Sequence, residues 1–469
     1  MLGDWENYHE EDETLDALKR YQEMLFNRDN SFFDLHEYEC IIDYYVEQFN
    51  FKDALSAAKL AIKQHPYALS VKLKYIHLLI ESGKPAMALR VIKNLGNIES
   101  SNYELFLAKG FALNLTGKHT DAKPEFTRAL KLCDENRDEV AYSIAQSYMQ
   151  IGQTSQAIKY LLLAFRLNED NILVLYDLAL NYEKIGCPEK GIFYYHKYLD
   201  LDPFAEHIWH NLGLLYQRIG EFDQASKAYD MALAINSGYQ PAYFNKARML
   251  MLHNKTEKAM QVYSDLLTYD STNIKALCEL GNCYEHSEND KEAQNCYRQA
   301  LRLDKNCSDA WYGMGRIFYR QKKFRLSISS LNQAVDIQPC NSDYWFILGE
   351  ALSASRKINE AILAFSEAAR LNPLDLESWM ACAQLLFRKK KFEDAIQLLN
   401  QIYQYNHDNS TVNYRLAAYY AYQGDIDNAI RYLKKGLTIN FQECKDMFKH
   451  YPKTKSNHAF QYLVETFKA

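Results

Sequence analysis

Apolar and polar positions along the chain follow a helical period rather than the two-residue period of a strand. Trp209, Leu212, Gly213 and Tyr216 fall at i, i+3, i+4 and i+7 and so share one helical stripe. Ala225, Tyr229 and Ala232 mark a second stripe. Between them, Ile219-Gly220-Glu221-Phe222 interrupts the pattern and supplies a glycine suited to a helix C-terminus. The unit reads as an antiparallel helix pair. Its small residues, Gly213, Ala225 and Ala232, allow close helix approach, and large aromatics fill the gaps left. Neither helix can bury its apolar face alone, so the pair needs neighbours.

The neighbours are copies of the same unit. Trp209, Trp311, Trp345 and Trp379 are separated by 102, 34 and 34 residues. The frame returns as Leu277, Leu280, Gly281, Tyr284, Ala293, Tyr297 and Ala300. It returns again as Trp345, Leu348, Gly349, Leu352, Ala361, Phe365, Ala368 and Pro373. Stepping by 34 from Glu206 reaches Glu443 without slippage. Stepping backward reaches Ile172 and Asp138 and, past one extra residue after Leu132, Tyr103, Leu69 and Leu35. This gives twelve repeats over residues 35–443, or 409 of 469 residues. The first two are degenerate, with Ile42 and Ile76 where a small residue belongs. Pro66, Pro203, Pro339 and Pro373 lie just past helix ends, where they cannot extend a helix.

The ends of such an array need polar caps. Residues 1–34 are expected to hold an acidic N-terminal capping helix, centred on 11–27. Residues 444–469 are expected to form C-terminal capping helices. These read as two short helices broken at Pro452, with Phe448, Phe460, Leu463 and Phe467 available to cover the last repeat.

The frame resembles the tetratricopeptide repeat, whose pattern is W-x2-L-G-x2-Y, then A-x3-F, then P, every 34 residues. The resemblance implies an all-α fold, a right-handed α-solenoid (superhelix) of stacked antiparallel helix pairs with capping helices at both ends. About 25–28 helices and no strand are expected. The plain array with terminal caps is most similar to uncharacterised bacterial tetratricopeptide-array proteins.

Composition agrees with a packed helical protein. Hydrophobic residues make up 48%, aromatics 14% and charged residues 24%, enough apolar material to exclude wholesale disorder. Only 17 glycines and 9 prolines argue against a turn-rich β fold. The 36 tyrosines, among them Tyr45, Tyr148, Tyr182, Tyr216 and Tyr284, mostly occupy repeating core places. The net charge of −6 does not advertise a nucleic-acid or anionic-membrane partner. It is uneven: residues 1–34 carry three Lys/Arg and ten Asp/Glu, whereas residues from 308 onward carry 21 and 16. No apolar run approaches the roughly 18 residues of a membrane span, and the N-terminus lacks a secretory layout. Ten scattered cysteines suit a reducing compartment, so a cytoplasmic address is expected.

Patterns that carry chemistry are missing. There is no phosphate-binding loop, no G-x-S-x-G and no H-E-x-x-H. Cys278, Cys283 and His286 lie at i, i+5 and i+8, which does not converge on a metal, and these thiols read as core packing. His207 and His210 read as an exposed pair, solvated or touching a peptide, without a third metal ligand. Neither a cofactor nor a metal is expected, and the chain is not expected to be an enzyme. Basic runs at Arg320–Arg325 and Arg388–Lys391 fall in turns between paired helices and read as solvated turns, with an acidic partner or nucleic acid as the alternatives.

The resemblance places a concave channel along the first helix of each repeat. Carried onto this chain, it exposes Asn211 and Asn245, then Arg248, Asn282 and Arg316 from one place in three successive repeats, with Tyr312, Tyr319 and Arg320 adjoining. These eight residues are the candidate partner-binding set. The carboxylate-clamp set of co-chaperones and the asparagine ladder of sugar-transferase arms are both missing here. The leading expectation is a non-catalytic protein–protein interaction scaffold that binds a peptide or partner protein in its groove. The alternative is an RNA-associated helical repeat protein using its basic turns.

Overall fold

The computed structural model describes residues 3–27, 31–95, 102–404 and 407–468, with the backbone alone for 3–14 and 468. Among the described residues there are 28 helices and no strand. Residues 1, 2 and 28–30 of the expected N-terminal cap lie outside them. The chain divides into two compact units, Met1–Ile235 and Asn236–Ala469. Each is an all-α solenoid of consecutive packed helix pairs.

The 34-residue period is visible in the helix starts. In the first unit, helices begin at Leu35, Leu69, Tyr103, Ile172 and Glu206. In the second they begin at Gln240, Ile274, Ser308, Ser342, Leu376 and Ser410. Many starts are capped by the residue before: Asn171, Asn273, Asn341, Asp375 and Asn409 each accept an amide of the first turn.

The tryptophans of the frame have a common task. The indole of Trp209 donates to the Pro203 carbonyl at 2.9 Å, that of Trp311 to Lys305 at 2.9 Å, that of Trp345 to Pro339 at 2.8 Å and that of Trp379 to Pro373 at 3.2 Å. Where the tryptophan is replaced, Tyr243 donates to Ser237 and Asn413 to His407, also six residues back. In these six repeats the place carries a donor that ties the helix to the linker before it.

In several repeats the glycine of the frame meets an aromatic of the second helix, and in one, Gly315, it meets Leu331. A Cβ on Gly213 would fall 2.4 Å from the Tyr229 ring, on Gly281 2.6 Å from Tyr297, and on Gly349 2.8 Å from Phe365. Tyr297 is gripped on its other face too, since a Cβ on Gly313 would fall 2.3 Å from it. These rings are almost fully buried.

The turn inside each pair closes with one left-handed residue. The first unit uses Phe49, Gly83, Gly117, Gly152, Gly186 and Gly220. The second uses Asn254, Glu288, Lys322, Arg356, Lys390 and Gly424. The following amide reaches the carbonyl five residues earlier, as Glu221 does to Tyr216 and Lys323 to Phe318. The glycine expected at the turn is thus a convenience; five of six turns in the second unit adopt the same corner without it, at about 1–2 kcal/mol each.

At the N-terminal end, Ala17, Leu18, Tyr21 and Met24 of the Gly3–Asn27 helix are buried against Phe33, Tyr38 and Tyr45. At the other end the structure differs from expectation. Pro452 opens a third short helix, Pro452–Lys455, between Cys444–His450 and His458–Lys468. Phe460 and Leu463 are buried, but Phe467 is exposed.

Two outcomes follow. Gly213→Leu is expected to cost about 1–3 kcal/mol by overpacking against Tyr229. Hydrogen exchange should rise first in its own and adjacent helices, and uniform loosening of the first unit would contradict it. Burial raises many tyrosines, foremost Tyr229, Tyr297 and Tyr419, and pushes Tyr38 and Tyr148 up to about 12. The unfolded chain ionises near 10, so the folded state keeps protons the unfolded state has lost. Stability is therefore full below pH 10 and falls as pH rises from 10 toward 12 and above. In a native ultraviolet titration, a large fraction of the 36 tyrosines should stay protonated at pH 11.

Candidate functional site

The second unit contains a cavity of about 780 Å³. Its walls come chiefly from four first helices: Gln240–Leu252, Ile274–His286, Ser308–Arg320 and Ser342–Ala354. Of the eight sequence candidates, it brings together Asn245, Arg248, Asn282, Tyr312, Arg316 and Arg320. Two fall elsewhere. Tyr319 turns its hydroxyl onto Glu350 at 2.9 Å and does not line the cavity. Asn211 belongs to the first unit, where its amide donates to the Tyr195 hydroxyl at 3.4 Å.

A buried network forms the floor. Arg316 Nη2 donates to Asn282 Oδ1 at 2.8 Å and to Glu285 Oε1 at 2.9 Å. The Tyr297 hydroxyl reaches the same two oxygens, at 2.8 and 2.6 Å. Its ring is the one held between Gly281 and Gly313, so core packing aims this hydroxyl. Arg316 also lies over the Tyr312 ring, 4.8 Å from its centroid, and Tyr312 packs on Tyr344 at 4.6 Å. Burial works against the Arg316 charge, but Glu285 and the two tyrosines outweigh it and hold its pKa above the ordinary value. Burial, then Glu285, drives the Tyr297 hydroxyl far up, so it stays a donor.

This changes the reading of the arginines. Arg316 and Asn282 are committed to each other and to Glu285, rather than offered to a ligand. Arg320 is likewise engaged, with Asp290 and, at 3.9 Å, with Glu285. The side chains of Arg248 and Asp343 form no ion pair among the described residues, and Lys275 sits over Phe244 at 4.4 Å. Sequence reasoning found the three arginines, two of the asparagines and Tyr312 but missed Lys275, Glu279, Glu285, Asp309 and Asp343. Four cations (Arg248, Lys275, Arg316, Arg320) face four anions (Glu279, Glu285, Asp309, Asp343), so the cavity is balanced rather than basic. A signal existed: Lys275, Asp309 and Asp343 hold one place in three successive repeats, and Glu279 holds the place of Asn245.

Other candidates resolve similarly. His210 is buried and its ring packs on Tyr229 at 5.9 Å, whereas His207 is exposed, so the two do not form a surface pair. Burial lowers the His210 pKa. Cys283 packs its sulfur on Met251 at 3.5 Å. No group of three or more His, Cys, Asp or Glu suited to a metal occurs among the described residues. In the basic turns, Lys323 bonds Gln321, Lys389 bonds Asn359 and Lys391 pairs with Asp394.

Three family models match the chain. Tetratricopeptide-repeat models match residues 138–171 and 208–239, and the model of the cilia and flagella-associated protein 70 C-terminal domain matches 246–449. Together with the helix-pair solenoid, these define a helical repeat protein, and the chain is a tetratricopeptide-repeat protein. The last match contains every cavity residue except Phe244 and Asn245. No curated protein matches the chain. Similar solved structures include YrrB, described as a TPR protein with an unusual peptide-binding site. It is 19% identical over 41% of this chain and 97% of its own, with a TM-score of 0.36. A MamA structure is 24% identical over 34% and 95%, with a TM-score of 0.31. MamA from Desulfovibrio magneticus RS-1 is 18% identical over 34% and 92%, with a TM-score of 0.32.

Removing one partner of the buried network exposes its cost. Arg316→Ala is expected to destabilise the second unit by about 1–3 kcal/mol, because Glu285 keeps its burial and loses a charged donor. A denaturant midpoint equal to that of the parent would contradict the internal role.

Proposed function

We propose that this chain is a non-catalytic scaffold that binds a peptide or partner protein across the first-helix face of its second unit. The reading includes an acidic N-terminal cap over residues 1–34, twelve repeats over 35–443 and covering helices over 444–469. The observation that carries it is the 780 Å³ cavity shared by four successive first helices, with a fixed floor and charges of both signs on its rim. A preformed wall limits the ordering cost of binding. The half-buried Tyr312, backed by the buried Tyr344, supplies apolar surface, while Arg248 and Asp343 supply opposite charges from different repeats. An extended segment carrying both an acidic and a basic side chain fits this better than a purely acidic one.

No helix among the described residues is long and apolar enough to cross a membrane. The ten cysteines are all free, which supports a reducing, cytoplasmic setting.

The test uses the full chain as bait, with Arg248→Ala combined with Asp343→Ala as the altered bait. The parent should retain a protein that the double variant binds about 2 kcal/mol more weakly, roughly 30-fold. Unchanged affinity would remove the cavity from the interface. Capture that is lost on ribonuclease treatment and falls steeply with salt would instead favour RNA.

A further inference from the structure

We propose that Cys278 and Cys307 form an oxidisable dithiol, a modification site for low-molecular-weight disulfides that ends in a cross-link between adjacent repeats. The two sulfurs lie 3.5 Å apart, and neither is in a disulfide. No other pair of cysteine sulfurs is in hydrogen-bonding contact among the described residues. Cys278 lies within the Ile274–His286 helix, and Cys307 is the residue that caps the start of Ser308–Arg320. A disulfide needs a sulfur separation of about 2.05 Å, so the pair closes by a small shift of side chains already in contact.

The surroundings assign different roles to the two thiols. Cys278 is buried, whereas Cys307 is half-buried and open to a small reagent. One repeat before and one after, the place of Cys307 is held by the capping residues Asn273 and Asn341. The cysteine therefore faces a helix N-terminus, which favours a thiolate. The hydrogen bond shared with Cys278, then the Ala310 amide, pull the Cys307 pKa down against burial and the charges of Asp309 and Asp304. The same hydrogen bond, then burial, drives Cys278 the other way. Cys307 is the attacking thiol and Cys278 the resolving one.

The chemistry balances with a glutathione-type disulfide as oxidant. The Cys307 thiolate attacks one sulfur of that disulfide, forming a mixed disulfide and expelling a thiolate. This leaving thiolate takes the Cys278 proton. Cys278 then attacks the Cys307 sulfur, the mixed bond breaks and a second small thiolate leaves, to be protonated by water. The two cysteines lose two electrons and the small disulfide gains them.

The cross-link would join two walls of the cavity. Lys275 and Glu279 flank Cys278 on its helix, Asp309 follows Cys307 by two residues, and all three line the cavity. The chemistry does not depend on what the cavity binds.

The experiment uses the reduced full chain, incubated with glutathione disulfide and then alkylated in denaturant for peptide mass mapping. The expected product has lost two alkylatable thiols and yields a linked peptide pair containing Cys278 and Cys307. Cys278→Ser should stop at a persistent glutathione adduct on Cys307. Native alkylation of Cys307 should rise with a midpoint below the value of about 8.5 for a free cysteine. Glutathione taken up by the exposed Cys340 while Cys278 and Cys307 stay alkylatable would overturn the proposal. So would a Cys307 adduct that persists in the parent protein.

Discussion

In the helix pairs that carry it, the packing depends on one close approach, that of a glycine on the first helix to a ring on the second. With a hydrogen in place of a methyl, Gly213, Gly281 and Gly349 leave room for Tyr229, Tyr297 and Phe365 close to the neighbouring backbone. The glycine is a poor helix former, at about 1 kcal/mol relative to alanine. The buried ring offsets that, since a fully buried aromatic side chain contributes about 1.5–3 kcal/mol. The period of 34 is the length of chain needed to present this pairing again in the same orientation.

The same contact reaches into the cavity. Tyr297 is held between Gly281 and Gly313, from consecutive repeats, and its position is set by packing rather than by any ligand. Its hydroxyl emerges beside Asn282 and Glu285, where Arg316 completes the network. This polar floor is held by four mutual hydrogen bonds, although the buried Arg316 Nε is left without a partner. The rim adds Arg248, Lys275 and Asp343, while Asp309 accepts from the Tyr344 hydroxyl at 2.6 Å.

Much of this was legible from residue spacing, and the exceptions have physical reasons. The helix pairs and the small-to-aromatic contacts follow from periodicity, and six of the eight cavity candidates from the channel that the family resemblance implies. The left-handed corners at Asn254, Glu288, Lys322, Arg356 and Lys390 do not, since the tertiary frame imposes a conformation those residues do not request. Glu285 was missed because a glutamate on a polar stripe reads as solvated, and only the structure shows Arg316 folding over it. Asp309 and Asp343 were missed because acids in a first helical turn are ordinary. His210 looked exposed because its partner ring, Tyr229, comes from the next helix.

The most direct test of the central contact is a double-mutant cycle at Gly281 and Tyr297, read as denaturant stability of the second unit. In the parent, Gly281→Ala should destabilise, because the added methyl meets the ring at 2.6 Å. In a Tyr297→Ala background the ring is gone, and the same change should become neutral or stabilising by up to about 1 kcal/mol of helix propensity. An identical cost in both backgrounds would show that the glycine is not there for the ring, and would contradict the account.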